Sequence, residues 1–281
     1  MANQRHFLSC KDYLVSGEEF DLFWHKEHEI LETKPVPVNL PFYYSSDRYI
    51  SHTDSKENFT EKLYQQVKNY MMGKKISWIK NYKTSGKILD VGAGTGDFLI
   101  TARKHHFEIF GTEPNETARG MAIRKDVSLV KDYQELKIKN YDVITLWHVL
   151  EHIKEPEEGI AKLSELLDDD GVLVIAVPNF KSFDAQHYKE CWAAYDVPRH
   201  LFHFSQKGIE SLFTAGGFEL LSKKPLIFDS FYVSLLSEKN KTGSSNYIKA
   251  FYNGLKSNIK AKTSTEYSSL VYFFRKSKNG L

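Results

Sequence analysis

The chain has 281 residues, of which 41% are hydrophobic, and its 38 basic and 36 acidic residues give a formal charge of +2. This near-neutral balance argues against a nucleic acid partner, because proteins that track phosphates usually carry a clear basic excess. The two cysteines, Cys10 and Cys191, exclude a disulfide framework. A polar N-terminus and the lack of a long apolar run predict a cytoplasmic protein without a transmembrane segment. Composition leaves the oligomeric state open.

The predicted elements begin with residues 1–57, an irregular N-terminal arm in which charges, prolines and aromatics follow no sustained period. Residues 58–281 are predicted to form one α/β domain that opens with a helix, since Phe59, Leu63, Val67 and Met71 recur at helical spacing. Apolar strands are then expected at 87–91, 107–111, 128–130, 141–147 and 171–177. Short strands that alternate with helices predict a mostly parallel sheet with helices on both faces.

The last third of the chain breaks this alternation. Seven of the 25 residues from 180 to 204 are aromatic, which predicts an irregular aromatic lid. Ser205 is expected to cap a helix, and residues 218–228 and 270–275 are expected to be strands. The insertion between them, 229–269, contains an amphipathic helix around Ile248 and Phe251. Its six lysines indicate a solvated helix face. The alternatives are that they bind an anionic membrane surface or an acidic carrier.

A glycine turn follows the first strand of the predicted sheet, in the sequence ILDVGAGTGD at residues 88–97. Glycines let the backbone turn tightly and approach a ligand, and the following helix start offers unpaired N–H groups. A dinucleotide-binding turn would place its third glycine at position 97, where this chain has Asp97. A nucleotide-dependent dehydrogenase is therefore disfavoured.

The spacing from Asp90 to Gly96 resembles motif I of the class I S-adenosylmethionine-dependent methyltransferases. Three further segments, LWHVLEH (146–152), GVLVIAVPN (171–179) and DVPRHLFHF (196–204), resemble the ubiquinone-biosynthesis O-methyltransferases and the bacterial group around them. The resemblance spans roughly residues 42–228 and implies a seven-stranded Rossmann-like sheet with an antiparallel last strand. It also implies that Asp90 holds the amino-acid end of the cofactor and that Asp132 and Tyr133 lie near its adenine.

A carboxylate placed like Glu113, just after the next strand, can accept both ribose hydroxyls. S-adenosylmethionine is therefore the expected cofactor. The expected cofactor contacts are Asp90, Gly92, Ala93, Gly94, Gly96, Glu113, Pro114, Asp132, Tyr133, Trp147 and His148.

The acceptor is expected beyond the carboxyl ends of the strands, where ligands of parallel sheets bind. Aromatic walls suit a planar or lipid-like small molecule, and an arginine on the lid can pair an anionic group. The predicted acceptor contacts are Asn179, Trp192, Tyr195, Arg199, His200 and His203. Residues 43–44 and 49–52 are a candidate second wall.

Methyl transfer to an oxygen is the favoured reaction, and a poorly acidic acceptor needs a base. His152, His148 and His200 are the candidates, because histidine titrates near neutrality. A carbon acceptor and a catalytically silent cofactor-binding protein are the alternatives. In the ubiquinone enzymes the triplet matching His148, Glu151 and His152 is thought to hold a divalent ion. His148 replaces a glutamate there and suits Mg²⁺ poorly, so no metal is assigned.

Overall fold

The computed structural model describes residues 4–26, 28–44, 59–137 and 139–278, with the side chains of the first helix described from residue 65 onward. The strands in this part of the chain are β1 (Gln4–Lys11), β2 (Glu19–His25), β3 (Ile30–Lys34), β4 (Gly86–Val91), β5 (Phe107–Thr112), β6 (Tyr141–Trp147), β7 (Leu167–Pro178), β8 (Phe202–Phe204), β9 (Phe218–Pro225) and β10 (Ser269–Lys276). The helices are α1 (Phe59–Ile79), α2 (Asp97–Lys104), α3 (Glu116–Ile123), α4 (Pro156–Leu166), α5 (Phe183–Tyr188), α6 (Gln206–Ala215), α7 (Asp229–Thr242) and α8 (Tyr247–Ser264).

The central sheet has the strand order β5-β4-β6-β7-β10-β9. The pairs β4–β5, β4–β6 and β6–β7 are parallel, whereas β10 runs antiparallel to both of its neighbours, as predicted. The strand predicted at 128–130 is reduced to an isolated parallel bridge, in which Val130 pairs with Thr112 at the end of the edge strand β5. The sheet therefore has six strands and this bridge rather than seven full strands.

Helices cover both faces of the central sheet, which confirms the predicted α/β architecture. One face packs against Ile160 and Leu163 of α4 and Phe213 of α6. The other face packs against α1 and α2, with Phe98 among the buried residues. The central strands contribute nearly continuous apolar runs because they are buried on both sides.

The N-terminal arm is a β-sheet between residues 4 and 34, and the prediction of an irregular segment was wrong there. Strands β1, β2 and β3 form antiparallel neighbours, and β8 adds to the edge of β3. The period-two signal was masked by aromatics on both faces of β2, where Phe20 and Leu22 are buried. Residues 45–58, including the candidate wall 49–52, lie outside the described part of the chain.

The aromatic segment 180–204 packs against this N-terminal sheet. Buried Trp192, Tyr195 and Phe180 share a core with Phe20 and Leu22. The segment also contains the short helix α5 and supplies strand β8. It is therefore part of a small packed layer rather than an irregular lid.

The insertion 229–269 contains two helices, α7 and α8, where the sequence predicted one. Helix α8 buries its small residues against α7 and turns Ile248 and Phe251 to solvent. Within the described residues, no helix combines the length and apolarity needed to cross a membrane.

Candidate active site

The turn between β4 and α2 is a left-handed glycine loop. Gly92, Gly94 and Gly96 have φ angles of 70°, 53° and 78°, a region that favours glycine. A Cβ added to Gly94 would have no heavy atom within 4 Å, so the outer side of the loop is open. The loop can therefore receive a ligand against its backbone, with neighbouring Ala93 held by its N–H bond to the Thr112 carbonyl.

Glu113 fixes this loop from the end of β5. One carboxylate oxygen accepts the Gly94 N–H at 2.9 Å and the other accepts the Asn115 N–H at 2.8 Å. Arg119 donates to the carbonyls of Glu113 and Pro114, at 2.7 and 2.8 Å. Each carboxylate oxygen keeps a second lone pair. The glycine loop and its acidic partner are therefore brought together as the sequence predicted.

Asp90 is buried beneath the loop and accepts the Thr145 hydroxyl at 2.6 Å. Burial raises the pKa of Asp90 to about 7, against the opposing effects of the Thr145 hydrogen bond and of Lys75. The Lys75 ammonium lies 3.9 Å from the centre of the Trp147 ring, and burial lowers the pKa of Lys75 to about 8. The Asp90 carboxyl group, the Trp147 ring and the buried Lys75 ammonium therefore lie together beside the glycine loop.

Asp97 occupies the start of α2, where a pyrophosphate would approach in a dinucleotide fold. Its carboxylate contacts the ammonium groups of Lys68 at 2.5 Å and Lys125 at 2.8 Å. Burial opposes this charge, but the two lysines outweigh it and hold the pKa of Asp97 below its usual range. A carboxylate and its two lysine partners therefore occupy the start of α2.

Asp132 and Tyr133 follow the Val130 bridge, on the same side of the sheet as Glu113. Asp132 caps a short helical turn by accepting the Gln134 N–H at 2.9 Å. Tyr133 is half-buried and packs against the core beside α4. Their contact with an adenine stays a prediction.

His148 ends β6 with φ at 58°, a left-handed conformation that is strained for a residue other than glycine. Its Nε2 lies 3.1 Å from a carboxylate oxygen of Asp229, and its Nδ1 lies 3.5 Å from Glu151. Burial disfavours the charged ring, yet these two carboxylates outweigh it and raise the pKa of His148 to about 9. His148 is therefore a cation at neutral pH and is a poor proton acceptor there.

His152 and His200 form the second part of the site, together with Glu151. The Nδ1 of His152 lies 2.9 Å from the Arg199 carbonyl, and the Nδ1 of His200 lies 2.9 Å from the Ala194 carbonyl. A carbonyl accepts only, so each Nδ1 carries a proton, and in a neutral imidazole the Nε2 is then an acceptor. Burial lowers the pKa of His200 to about 4, which keeps that ring neutral.

Glu151 is buried, and within the described residues neither of its carboxylate oxygens has a hydrogen-bond partner. Burial opposes its charge, but His148 and His200 hold its pKa below the usual range. One ligand atom from each of Glu151, His152 and His200 lies within 4.8 Å of the others. This carboxylate, whose nearest charged neighbour is His148, and two imidazole rings can receive a proton, a polar ligand or a nitrogen-preferring divalent ion. The sequence assigned no metal to this group.

Arg199 is not at an open surface facing an acceptor. Its side chain is 1% exposed, and its guanidinium pairs with Asp12 at 2.9 Å and Asp196 at 2.7 Å. It also donates to the Tyr43 carbonyl at 3.1 Å. The ion pairs join the N-terminal sheet to the aromatic segment, which argues against the predicted contact of Arg199 with an acceptor.

Four other predicted acceptor residues are also used inside the protein. Asn179 donates to Glu266, and the indole of Trp192 donates to Asp184. His203 contacts the Thr33 hydroxyl, and Tyr195 is buried against both aromatic neighbours, Trp192 and His203. Residue type and position in the chain alone do not tell whether such a side chain packs inside the protein or lines a binding site. Of the six predicted residues, His200 alone joins the site.

Sequence reasoning missed Lys75 and Asp229, and it named Tyr44 only as part of a candidate wall. Lys75 comes from α1 and Asp229 from the insertion, far from any motif in the chain. Tyr44, in the candidate wall at 43–44, places its hydroxyl 3.0 Å from the Nδ1 of His152. Only the helical spacing of Lys75 with Met71 and Met72 hinted that it faces the sheet.

Comparisons with known proteins identify the family and the fold. The profile of a family described as a methyltransferase domain matches residues 61–223. The ubiquinone biosynthesis O-methyltransferase of Vibrio atlanticus (strain LGP32) is 31% identical over 117 residues, covering 36% of this chain and 49% of that protein. An uncharacterized methyltransferase of Bacillus mycoides (strain KBAB4) is 29% identical over 110 residues, 37% of this chain and 52% of that protein. The chain spans about half the length of the curated relatives it matches.

Solved structures show the same fold at low identity. Magnesium protoporphyrin IX methyltransferase from Synechocystis PCC 6803 with bound S-adenosylhomocysteine superposes with a TM-score of 0.57 at 17% identity, covering 84% of this chain and 97% of that chain. A possible histamine N-methyltransferase from Thermotoga maritima gives 0.53 at 18% identity, with 77% and 94% covered. Because the family profile covers more than half of the chain and the fold agrees with it, the chain belongs to the methyltransferase-domain family.

Proposed function

We propose that this protein transfers the methyl group of S-adenosylmethionine to an oxygen atom of a small-molecule acceptor. The carrying observation is the glycine loop held by Glu113, together with His152 and His200, whose Nδ1 atoms are bonded to backbone carbonyls beyond β6. The sulfonium of the cofactor already supplies the leaving group. The protein has to align donor and acceptor and exclude water.

The cofactor half of the site consists of the loop, Asp90 and Glu113. The free lone pairs of Glu113 accept the ribose hydroxyls, while the open side of Gly94 admits the ligand to the backbone. The carboxylate of Asp90 attracts the ammonium of the amino-acid end. Because Glu113 is already bonded to the loop, the binding geometry exists before the cofactor arrives.

The acceptor half consists of Glu151, His152 and His200. The Nε2 of His152 takes the acceptor hydroxyl proton as the oxygen attacks the methyl carbon, and the ionised Glu151 stabilises the resulting imidazolium. His148 is protonated, so its role is to hold Glu151 and Asp229 in place. A proton acceptor of this kind supports transfer to a hydroxyl oxygen by an active enzyme, and a carbon acceptor or a silent cofactor-binding protein is the alternative that the next experiment tests.

The test is the rate of the methyl-transfer step in a single turnover, measured in His152→Asn across neutral pH with a panel of phenol, sugar and lipid-linked acceptors. We expect a loss of about 10²–10⁴-fold and a flat pH profile, with cofactor affinity unchanged. His106→Asn is the matched control, because His106 is exposed at the opposite end of β5 and asparagine accepts its left-handed backbone. An unchanged rate and profile in His152→Asn would remove the base from the mechanism.

A divalent ion held by Glu151, His152 and His200 is the second candidate, favoured by the unpaired Glu151 oxygens. It would lower the pKa of an acceptor hydroxyl bound to it. Treatment with a chelator, followed by Zn²⁺ or Mn²⁺, separates the two. The base proposal expects no change in rate, whereas a loss restored by the ion assigns the group to metal.

A further inference from the structure

Helix α8 has the reverse of the usual burial pattern. Its buried face is small and polar, and a Cβ added to Gly254 would lie 2.8 Å from the Phe231 ring of α7. The close contact between α7 and α8 therefore depends on small residues. The opposite face is large and apolar and points to solvent. That face consists of Tyr247, Ile248, Phe251, Tyr252, Leu255 and Ile259.

The exposed residues of this face form a continuous apolar patch, whereas surface hydrophobics usually occur singly. Ile248 is 84% exposed and Phe251 is 61% exposed, and their neighbours one turn along the helix continue the stripe. Contiguous apolar patches of this kind mark a surface that is covered in use. The insertion lies beyond residue 223, where the family match ends.

The charges beside the stripe select the kind of partner. Helix α8 contains four lysines and no acidic residue, and residues 229–264 contain six lysines against two acidic residues. Both acidic groups face inward, since Asp229 contacts His148 and Glu238 accepts from Tyr188. At 3.6 residues per turn, Lys249, Lys256 and Lys260 fall along one flank of the apolar stripe.

We propose that α8 binds an anionic lipid surface, with its apolar face in the headgroup region and its lysines against the phosphates. An interfacial helix combines an apolar face, a lysine-bearing flank and no membrane span. A second copy of this chain would bring lysines against lysines across a two-fold contact, which disfavours self-association through the same face.

The position of α8 connects this surface to the candidate active site. The Phe251 ring stacks on Phe231 with 5.3 Å between centroids, and α7 begins at Asp229, which contacts His148. Tyr70, also exposed, packs edge-to-face on Phe228 at 6.1 Å. The apolar surface therefore extends towards the site. The lipid-binding proposal does not rest on the methyl-transfer chemistry, because binding is measured without turnover.

The experiment is vesicle flotation of the full chain with vesicles of phosphatidylcholine alone or mixed with phosphatidylglycerol. We expect binding to the mixed vesicles, weakened by salt, and little binding to phosphatidylcholine alone. The Ile248→Asp/Phe251→Asp variant should lose binding. Lys249→Gln and Lys260→Gln should each lower the partition coefficient about fivefold at low salt. Ile123→Asp is the matched control, since Ile123 is 63% exposed on α3 and should leave binding unchanged.

Circular dichroism and thermal unfolding establish that each variant is folded. Equal binding of the wild type to both vesicle types, no binding to either, or binding retained by Ile248→Asp/Phe251→Asp would overturn the proposal. Sedimentation equilibrium provides the other outcome. A dimer that is lost in the Ile248→Asp/Phe251→Asp variant, without any vesicle binding, would assign the face to a second copy.

Discussion

Replacing Arg199 by alanine distinguishes a structural arginine from one that binds the acceptor. Its guanidinium is buried between Asp12 and Asp196, and Asp12 is itself buried. Removing one partner of a buried ion pair leaves an uncompensated charge and costs about 3–5 kcal/mol. Asp12 keeps hydrogen bonds from the backbone N–H groups of residues 14 to 16, which favours the lower end of that range.

Thermal unfolding measures this loss. A destabilisation of 3–5 kcal/mol corresponds to a fall of roughly 6–20 °C in Tm, at about 2–4 °C per kcal/mol for a chain of this size. Arg275→Ala is the matched control, because Arg275 pairs with Glu219 on the surface and exposed pairs contribute about 0–1 kcal/mol. Arg199→Ala with a Tm near that of wild type and a selective loss of acceptor turnover would refute the structural role.

Three other predictions concern the cofactor and charge network. Glu113→Ala leaves the Gly94 N–H and the ribose hydroxyls without an acceptor, and calorimetry with S-adenosylhomocysteine should show a loss of about 1–3 kcal/mol, with unchanged affinity removing Glu113 from the site. Asp90 gains its charge as pH rises through about 7, so the affinity for S-adenosylhomocysteine should increase from about pH 6 to pH 8. An equal increase of affinity with pH in Asp90→Asn would contradict this. Asp229→Asn removes one of two carboxylates beside His148 and should lower its pKa from about 9, as followed by NMR titration, with Asp170→Asn as a surface control; an unchanged value would contradict the pairing.

The central sheet could be predicted because its signals are local. Buried strands followed by glycine or proline turns carry their pattern within ten residues, and the strand 141–147 was placed at its observed bounds. The spacing of Asp90, the glycines and Glu113 likewise predicts a cofactor site, since these residues lie at or just after the ends of two strands. These features depend on neighbours in the chain.

The N-terminal sheet and the burial of the predicted acceptor contacts could not be predicted, because they depend on contacts between distant segments. Arg199 meets Asp12 across 187 positions, and His203 meets Thr33 across 170. The sequence does not tell whether an aromatic residue such as Trp192 packs in a core or lines a binding site. The outward orientation of α8 was hidden for a related reason, since an apolar stripe normally predicts a buried face.

The two histidines of the proposed acceptor half, His152 and His200, come from different layers of the molecule. His152 follows the central sheet, whereas His200 leads into β8, the strand that completes the N-terminal sheet. The Leu201 N–H donates to the Glu151 carbonyl at 2.8 Å, where the two layers join. The proposed acceptor group is consequently assembled from both layers, whereas the glycine loop and Glu113 lie at the edge of the central sheet. We therefore expect sequence change in the N-terminal layer to move His200 relative to His152 while the glycine loop and Glu113 stay as they are.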